Sequence, residues 1–351
     1  MRIICPACEA VYQIPQELLP QGERIAFTCE KCGNKIAYSP PTSSKDARPQ
    51  PERPAPKASP THDIKKVRAL KRKIRLSLMG FIPAVAQVIA RAQMVMANPY
   101  SGLKDLAKVI ETDQGITARA LKVANSAYYG LSGKVTSISH ASVLLGNKIL
   151  GEIITMVGVR GFLGERLKGY GLDSEVLWRH SLAVAVGSKL FAAKKCPELA
   201  EEAFVAGLVH DAGMIMLDPH IFEKKEAFDA IVSDGLHTFL QGERAVLGTD
   251  HPEVGGEMLG EWGIPRTLLK PIANHHRPSA SGEDLAYIVH LADILAKKNG
   301  YGTGIEDALY QVDEDAMEFM GFQDEEDLIV AGSEMGEAVE KIRKEVLEEP
   351  L

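Results

Sequence analysis

The chain has 351 residues, a net charge of -7 from 40 basic and 47 acidic side chains, and apolar and charged fractions of 45% and 25%. That is enough for two domains or one large core with appendages, at the composition of an ordinary water-soluble protein. A membrane-embedded chain is not expected: the longest weakly polar stretch, Leu76–Ala90, is interrupted by Pro83 and falls short of the roughly 20 residues that a bilayer span requires.

The chain begins with two cysteine knuckles, "CPAC" (Cys5, Cys8) and "CEKC" (Cys29, Cys32). Each CxxC turns two thiolates toward one ion, and two of them close a tetrahedral Zn2+ site with no open coordination position. Gly33, just after the last ligand, suits the positive φ of a knuckle turn. Short strands are expected at "EAVYQIP", "RIAFTC" and "CGNKIAYS", so residues 1–40 read as a small β zinc ribbon with a structural metal. A redox dithiol is the alternative, although redox CxxC motifs usually come singly at a helix start.

The start "MRIICPACE" has no apolar signal core, which leads to the expectation of a cytoplasmic protein, where cysteines meet metal rather than disulfides. Cys196, beside Pro197, reads as an inert thiol. The ribbon's Arg2, Arg24, Lys31 and Lys35 are balanced by Glu9, Glu17, Glu23 and Glu30, so nucleic acid is not an expected partner.

Residues 41–63, rich in Pro, Ser and charge, read as a flexible linker. "KKVRALKRKIR" (Lys65–Arg75) then carries seven basic residues in eleven; it reads as a solvated helix start, with phosphates or an acidic partner as the alternative.

From Ile64 the apolar pattern turns helical, and no period-two alternation follows, so the body is expected to be all-α: 64–280, then an acidic helical extension over 281–351. Val85, Val88, Ile89 and Ala92 form one apolar stripe. Ser101–Gly130 reads as two helices, the first capped by Ser101, the second broken off and capped by Thr112-Asp113. "SISHASVLLGNKILGEIITMVGVRGFL" reads as another pair. Ser174–Lys195 reads as a long amphipathic helix capped by Ser174.

Eight of the ten histidines lie between residues 180 and 290. His180 is mid-helix and His210-Asp211 ends a helix. His251 opens one, with Pro252 in its first turn; His275-His276 closes another, and Asp293 sits inside a later one. His62, His140, His220, His237 and His290 have no place in this order and read as surface or core residues.

A lone helical histidine is ordinarily a hydrogen-bonded core residue, but this ordered set resembles the metal ligands of HD-superfamily hydrolases. The resemblance implies that His180, His210, Asp211, His251, His275, His276 and Asp293 converge on one or two divalent ions, Fe, Mn or Zn, which activate water against a phosphoester.

A second resemblance covers about Leu78 to Pro278. The Pro83 entry, "DQGITARALKVANSAYYG" with Asp113, Asn125 and Ser126, and "TSISHASVLLG" with Ile138 and Gly146 resemble the HDOD domain, the HD-related output domain of bacterial signalling proteins. It implies an all-helical HD-like regulatory module without catalysis. The related HD-GYP cyclic di-GMP phosphodiesterases follow His-Asp with Ile-Gly-Lys, whereas here Ala212, Gly213 and Met214 stand there, and no cation meets a substrate phosphate. Their Glu, Gly and Tyr-Pro signature is also absent from "HHRPSASG".

Two functions follow. The first is an output module that engages a signalling protein (a kinase, cyclase or transcription partner) or a small ligand, using Asn125 and Ser126; those two residues read more readily as makers of capping and interhelical hydrogen bonds. The second is a metal-dependent phosphohydrolase or phosphodiesterase of the HD type.

Overall fold

The computed structural model describes four short backbone strands within residues 2–38, scattered helical residues between 69 and 98, and most of 101–342. Residues 102, 111–113, 127–128, 132–133, 163–165, 234 and 305–308 lie outside that description. So do Cys5, Cys8, Cys29 and Cys32, the linker over 41–63, and the Thr112-Asp113 cap. Two compact units are separated at Thr61 and His62.

In the first unit β1 (Arg2–Ile4) pairs antiparallel with β2 (Val11–Gln13), and β3 (Ile25–Thr28) with β4 (Lys35–Tyr38). One CxxC lies in sequence between the strands of each pair. Strand β1 was not among the expected strands; at three residues it is too short for an alternation to register.

The second unit is helical. Helices α1 (Leu103–Ile110) and α2 (Gln114–Ala124) lead into α3 (Ile138–Phe162). The expected helix pair in this last stretch is present as two pieces merged across Gly146, where φ is 79° and ψ 162°, a backbone state that a side chain would strain. Ile138–Arg160 is long and apolar enough to cross a bilayer, a feature not expected from the sequence. Most of it is buried: Leu150, Ile153, Ile154 and Val157 pack into the core, which accounts for its hydropathy.

A two-residue hairpin, β5 (Arg166–Leu167) with β6 (Leu172–Asp173), interrupts the helices and corrects the expectation of none after the ribbon. The Asp218 carboxylate holds its turn by accepting from Gly169 N at 2.7 Å and Lys168 N at 3.1 Å, contacts too remote in sequence to leave an alternation.

Helix α4 (Ser174–Lys195) has the expected bounds, but its cap is Asp173, whose carboxylate accepts from Glu175 N. Nor is it amphipathic. Trp178, Leu182, Ala185, Phe191 and their neighbours bury nearly every face, because α4 runs through the middle of the unit, against α5 (Ala200–Val209) and α11 (Asp284–Ala296).

Between these come α6 (Ala212–Phe222), α7 (Lys225–Val232), α8 (Phe239–Leu247), α9 (His251–Glu261) and α10 (Arg266–Asn274). Helices α12 (Glu314–Met320) and α13 (Glu325–Ile342) follow α11; Met335, Val339 and Ile342 of α13 join the same core. The basic run meets an acidic partner within the chain: Lys71 pairs with Glu253 at 2.9 Å and Arg75 with Glu257 at 2.7 Å on α9. Such half-exposed pairs contribute at most about 1 kcal/mol each.

One close approach positions the centre of the unit. A Cβ on Gly213 would lie 2.0 Å from His251 O, so α6 and the start of α9 touch backbone to backbone. Gly213→Ala should therefore destabilise the protein by about 3 kcal/mol through overpacking. At Gly255 the added Cβ would sit a crowded 3.3 Å from Gly213 N, and Gly255→Ala should cost less than Gly213→Ala, the crowding partly offset by about 1 kcal/mol of helix propensity. Urea unfolding followed by circular dichroism measures both.

Candidate metal centre

Five segments bring the seven ordered His and Asp residues together. His180 comes from the middle of α4, His251 is the first residue of α9, and Asp293 lies in α11. His275 and His276 directly follow α10. His210 and Asp211 occupy the break between α5 and α6. Asp211 stands at the N-cap of α6, yet its side chain makes no capping bond there and turns inward instead.

The two oxygens of Asp211 face different groups. Oδ2 lies 3.1 Å from His210 Nε2 and 3.5 Å from His180 Nε2. Oδ1 lies 3.3 Å from His251 Nε2 and 3.5 Å from His275 Nε2. Asp293 Oδ1 is 3.2 Å from His180 Nε2, and the Nε2 atoms of His251 and His276 are 3.1 Å apart. Two ligands about 2.1 Å from one ion, at tetrahedral or octahedral angles, stand roughly 3.0–3.4 Å apart. Four of the six separations fall within that spacing, and the two at 3.5 Å lie just beyond it. Asp211, His251, His275 and His276 form one group that could hold a metal ion, and His180, His210 and Asp211 another.

The outward ring nitrogens fix which way the lone pairs point. His180 Nδ1 donates to Tyr301 O, His210 Nδ1 to Gly207 O and His275 Nδ1 to Ile272 O, at 2.7–2.9 Å. A carbonyl only accepts, so each neutral ring keeps its proton on Nδ1 and its lone pair on Nε2, facing the centre. His251 Nδ1 is held at 2.9 Å by Glu243, which also accepts from His251 N and from the Tyr170 hydroxyl. Carboxylates and carbonyls behind imidazoles are the usual supports of metal-bound histidine. The inward Nε2 atoms of His180, His210 and His275 are buried with no hydrogen-bond partner among the described residues. Three orphaned acceptors are an arrangement that a cation satisfies and an apolar core does not.

The centre is closed. None of the seven side chains is more than 8% exposed. Tyr310 stacks on His276 with ring centroids 4.6 Å apart. Lys297 Nζ sits 4.1 Å from the Tyr310 ring centroid and 2.6 Å from both oxygens of Asp293. His290, assigned no role from sequence, ties this cover down: its Nδ1 donates to His275 O and its Nε2 accepts from Asp313 N.

Without an ion, protons must do its work. Burial opposes a charged His180 ring, but Asp211 and Asp293 outweigh it and push its pKa up to about 9. His251 is likewise raised against burial by Glu243 and Asp211. Burial, aided by neighbouring cations, pushes His275 down to about 4 and His276 well below the usual range. Both aspartates are held well below the carboxylate range despite burial, Asp211 chiefly by His210 and His180, Asp293 by Lys297 and His180.

The other site candidates lie elsewhere. Asn125 Nδ2 commits both hydrogens, to Leu121 O at 2.7 Å and Val135 O at 2.8 Å, while its Oδ1 accepts from Val135 N. It fastens the chain after α2, the hydrogen-bonding alternative read for it from sequence. Ser126 Oγ is buried with no hydrogen-bond partner among the described residues. Neither residue belongs to the His/Asp group. Met214 is buried in the core. Sequence reasoning passed over Glu243, Tyr170, Lys297 and Tyr310; only Lys297 had a local signal, one helical turn beyond Asp293.

Fold and centre together define a predominantly helical protein built around a buried His/Asp cluster. Residues 82–278, more than half of the chain, match the HDOD domain, and the chain belongs to that family. Residues 1–37 match a zinc-ribbon domain.

Solved structures agree on the fold. An HDOD domain protein of unknown function from Geobacter sulfurreducens is 24% identical, with a TM-score of 0.64 over 82% of this chain and 99% of its own. A provisionally assigned phosphohydrolase from Shewanella amazonensis SB2B, also 24% identical, scores 0.59 over 79% and 98%. A provisionally assigned signal transduction protein from Marinobacter aquaeolei VT8, 19% identical, scores 0.60 over 79% and 65%. An uncharacterized protein of Treponema pallidum (strain Nichols) is 23% identical over 207 residues, 56% of this chain but 37% of that curated relative.

Glu243→Gln should weaken metal binding about 10–100-fold, the usual cost of losing an outer-shell partner, because an amide cannot accept on both ends. Titration calorimetry with Mn2+ measures it, with circular dichroism showing the helices intact.

Proposed function

We propose that the protein is a bacterial signal-transduction output module whose HDOD core holds a divalent metal as a closed regulatory or structural centre, without turnover. The observation that carries this reading is the conjunction of orphaned inward Nε2 atoms with a ligand set sealed from solvent. His180, His210, Asp211 and Asp293 line one side of the centre, and Asp211, His251, His275 and His276 the other. A divalent ion bound there supplies positive charge and Lewis acidity. The side chains around it orient the imidazoles, keep water out and leave no open face for a phosphoester.

The ribbon, through Cys5, Cys8, Cys29 and Cys32, would carry a separate structural Zn2+ and present a surface to a signalling partner or small ligand in the cytoplasm. Nucleic acid remains a poor fit to its balanced charge. A metal-dependent phosphohydrolase is the second reading, favoured by the completeness of the seven-residue set and by the name of the Shewanella neighbour.

Elemental analysis of the purified chain should find Fe, Mn or Zn in excess of the ribbon's zinc, and Asp211→Ala should remove that excess. Bis(p-nitrophenyl) phosphate should stay at background hydrolysis with Mn2+ present. Turnover at an ordinary enzymatic rate of about 1 s-1 or more, lost in Asp211→Ala, would replace this reading by the hydrolase. Capture of partners from host extract should depend on residues 1–40.

A further inference from the structure

Lys297 is the feature of the centre that a metal site does not need. Its side chain is 5% exposed, and its ammonium contacts both oxygens of Asp293 at 2.6 Å. The Tyr310 ring closes the other side at 4.1 Å, and that ring is itself stacked on His276. A cation is therefore built in beside the carboxylate that would serve the His180 half of the centre.

We propose that Lys297 stands in for a second metal ion, so that the resting centre takes a single divalent ion, held by Asp211, His251, His275 and His276. The inference rests on the reading that the His/Asp group binds metal.

Charge argues for it first. Asp211, Asp293 and Glu243 are three buried carboxylates, and Lys297 is the cation paired among them, since the nearby Asp250 carboxylate is matched by Arg244 at 2.6 Å. With neutral imidazoles as ligands, one divalent ion brings this set to neutrality. A second leaves two uncompensated positive charges in a closed interior, where charge is costly.

Ligand supply argues in the same direction. Lys297 draws on both oxygens of Asp293, which leaves His180, His210 and a shared Asp211 on that side, against four ligands on the other. Tyr310 keeps Lys297 from swinging away, because the ammonium would lose its aromatic face along with its carboxylate.

The test loads the chelator-stripped 351-residue chain with excess Mn2+, which a thiolate ribbon binds poorly compared with zinc. Bound Mn is counted by elemental analysis, and pairs are detected by electron paramagnetic resonance. The wild type and the charge-retaining Lys297→Arg should hold one Mn per chain and give the hyperfine sextet of an isolated ion. Lys297→Met should hold two, with the multiline signal of a spin-coupled pair; Lys297→Gln serves as a second neutral variant should the first not fold. Two coupled ions in the wild type, or one ion in both neutral variants, overturns the role of Lys297 and leaves the metal reading standing. No Mn in any of the proteins overturns both.

Discussion

Four imidazole nitrogens from separate segments meet on one carboxylate, Asp211, and the helices around it are arranged to permit that meeting. Asp211 can face inward because the chain breaks between α5 and α6, where it gives up the capping bond that an aspartate normally makes. His251 reaches Oδ1 because α9 starts against the bare backbone of Gly213. The cost is a cluster of polar groups in a dry interior, and hydrogen bonds at the outer ring nitrogens answer only half of it. The inner half is left for cations or protons.

The closure of the cluster separates binding from chemistry. A phosphoester needs an open face on the metal, and here that direction is filled by the Tyr310 ring, with Lys297 on Asp293 beneath it. The cover belongs to the stretch after α11, pinned through His290 and Asp313, and α13 then packs on the core beyond it. The acidic extension is thus part of the unit that encloses the centre.

Much of this was legible in the sequence, for identifiable reasons. The order His180, His210-Asp211, His251, His275-His276, Asp293 could be read because it resembles the ligand order of HD-superfamily hydrolases, with the His-Asp pair and the double histidine falling where helices end. Asn125 could be read only as a choice between ligand and fastening, because its partner Val135 lies across a turn whose geometry no local pattern encodes. Glu243 looks like any acidic residue on a surface helix until α8 folds back to bury it behind His251. Tyr310 has no periodicity to mark it, and its role exists only by stacking. The cap of α4 was misplaced by one residue because Asp173 and Ser174 are both good caps. Its burial on nearly every face was hidden by small residues, Ala183, Ala185 and Gly187, that no periodicity treats as core.

The ligand set also has a consequence for the unfolded chain. Asp211 and His276 stand at opposite ends of the segment that contains His251 and His275, so an ion bound to these four joins points far apart in sequence, as a cross-link does. Closing a long loop removes conformational freedom from the denatured ensemble, and that contribution grows with the length enclosed. Metal occupancy would therefore be felt along the whole run from α6 to α10 as cooperativity of unfolding. A chain stripped of metal could keep each helix and still lose the single, concerted transition that ties them together.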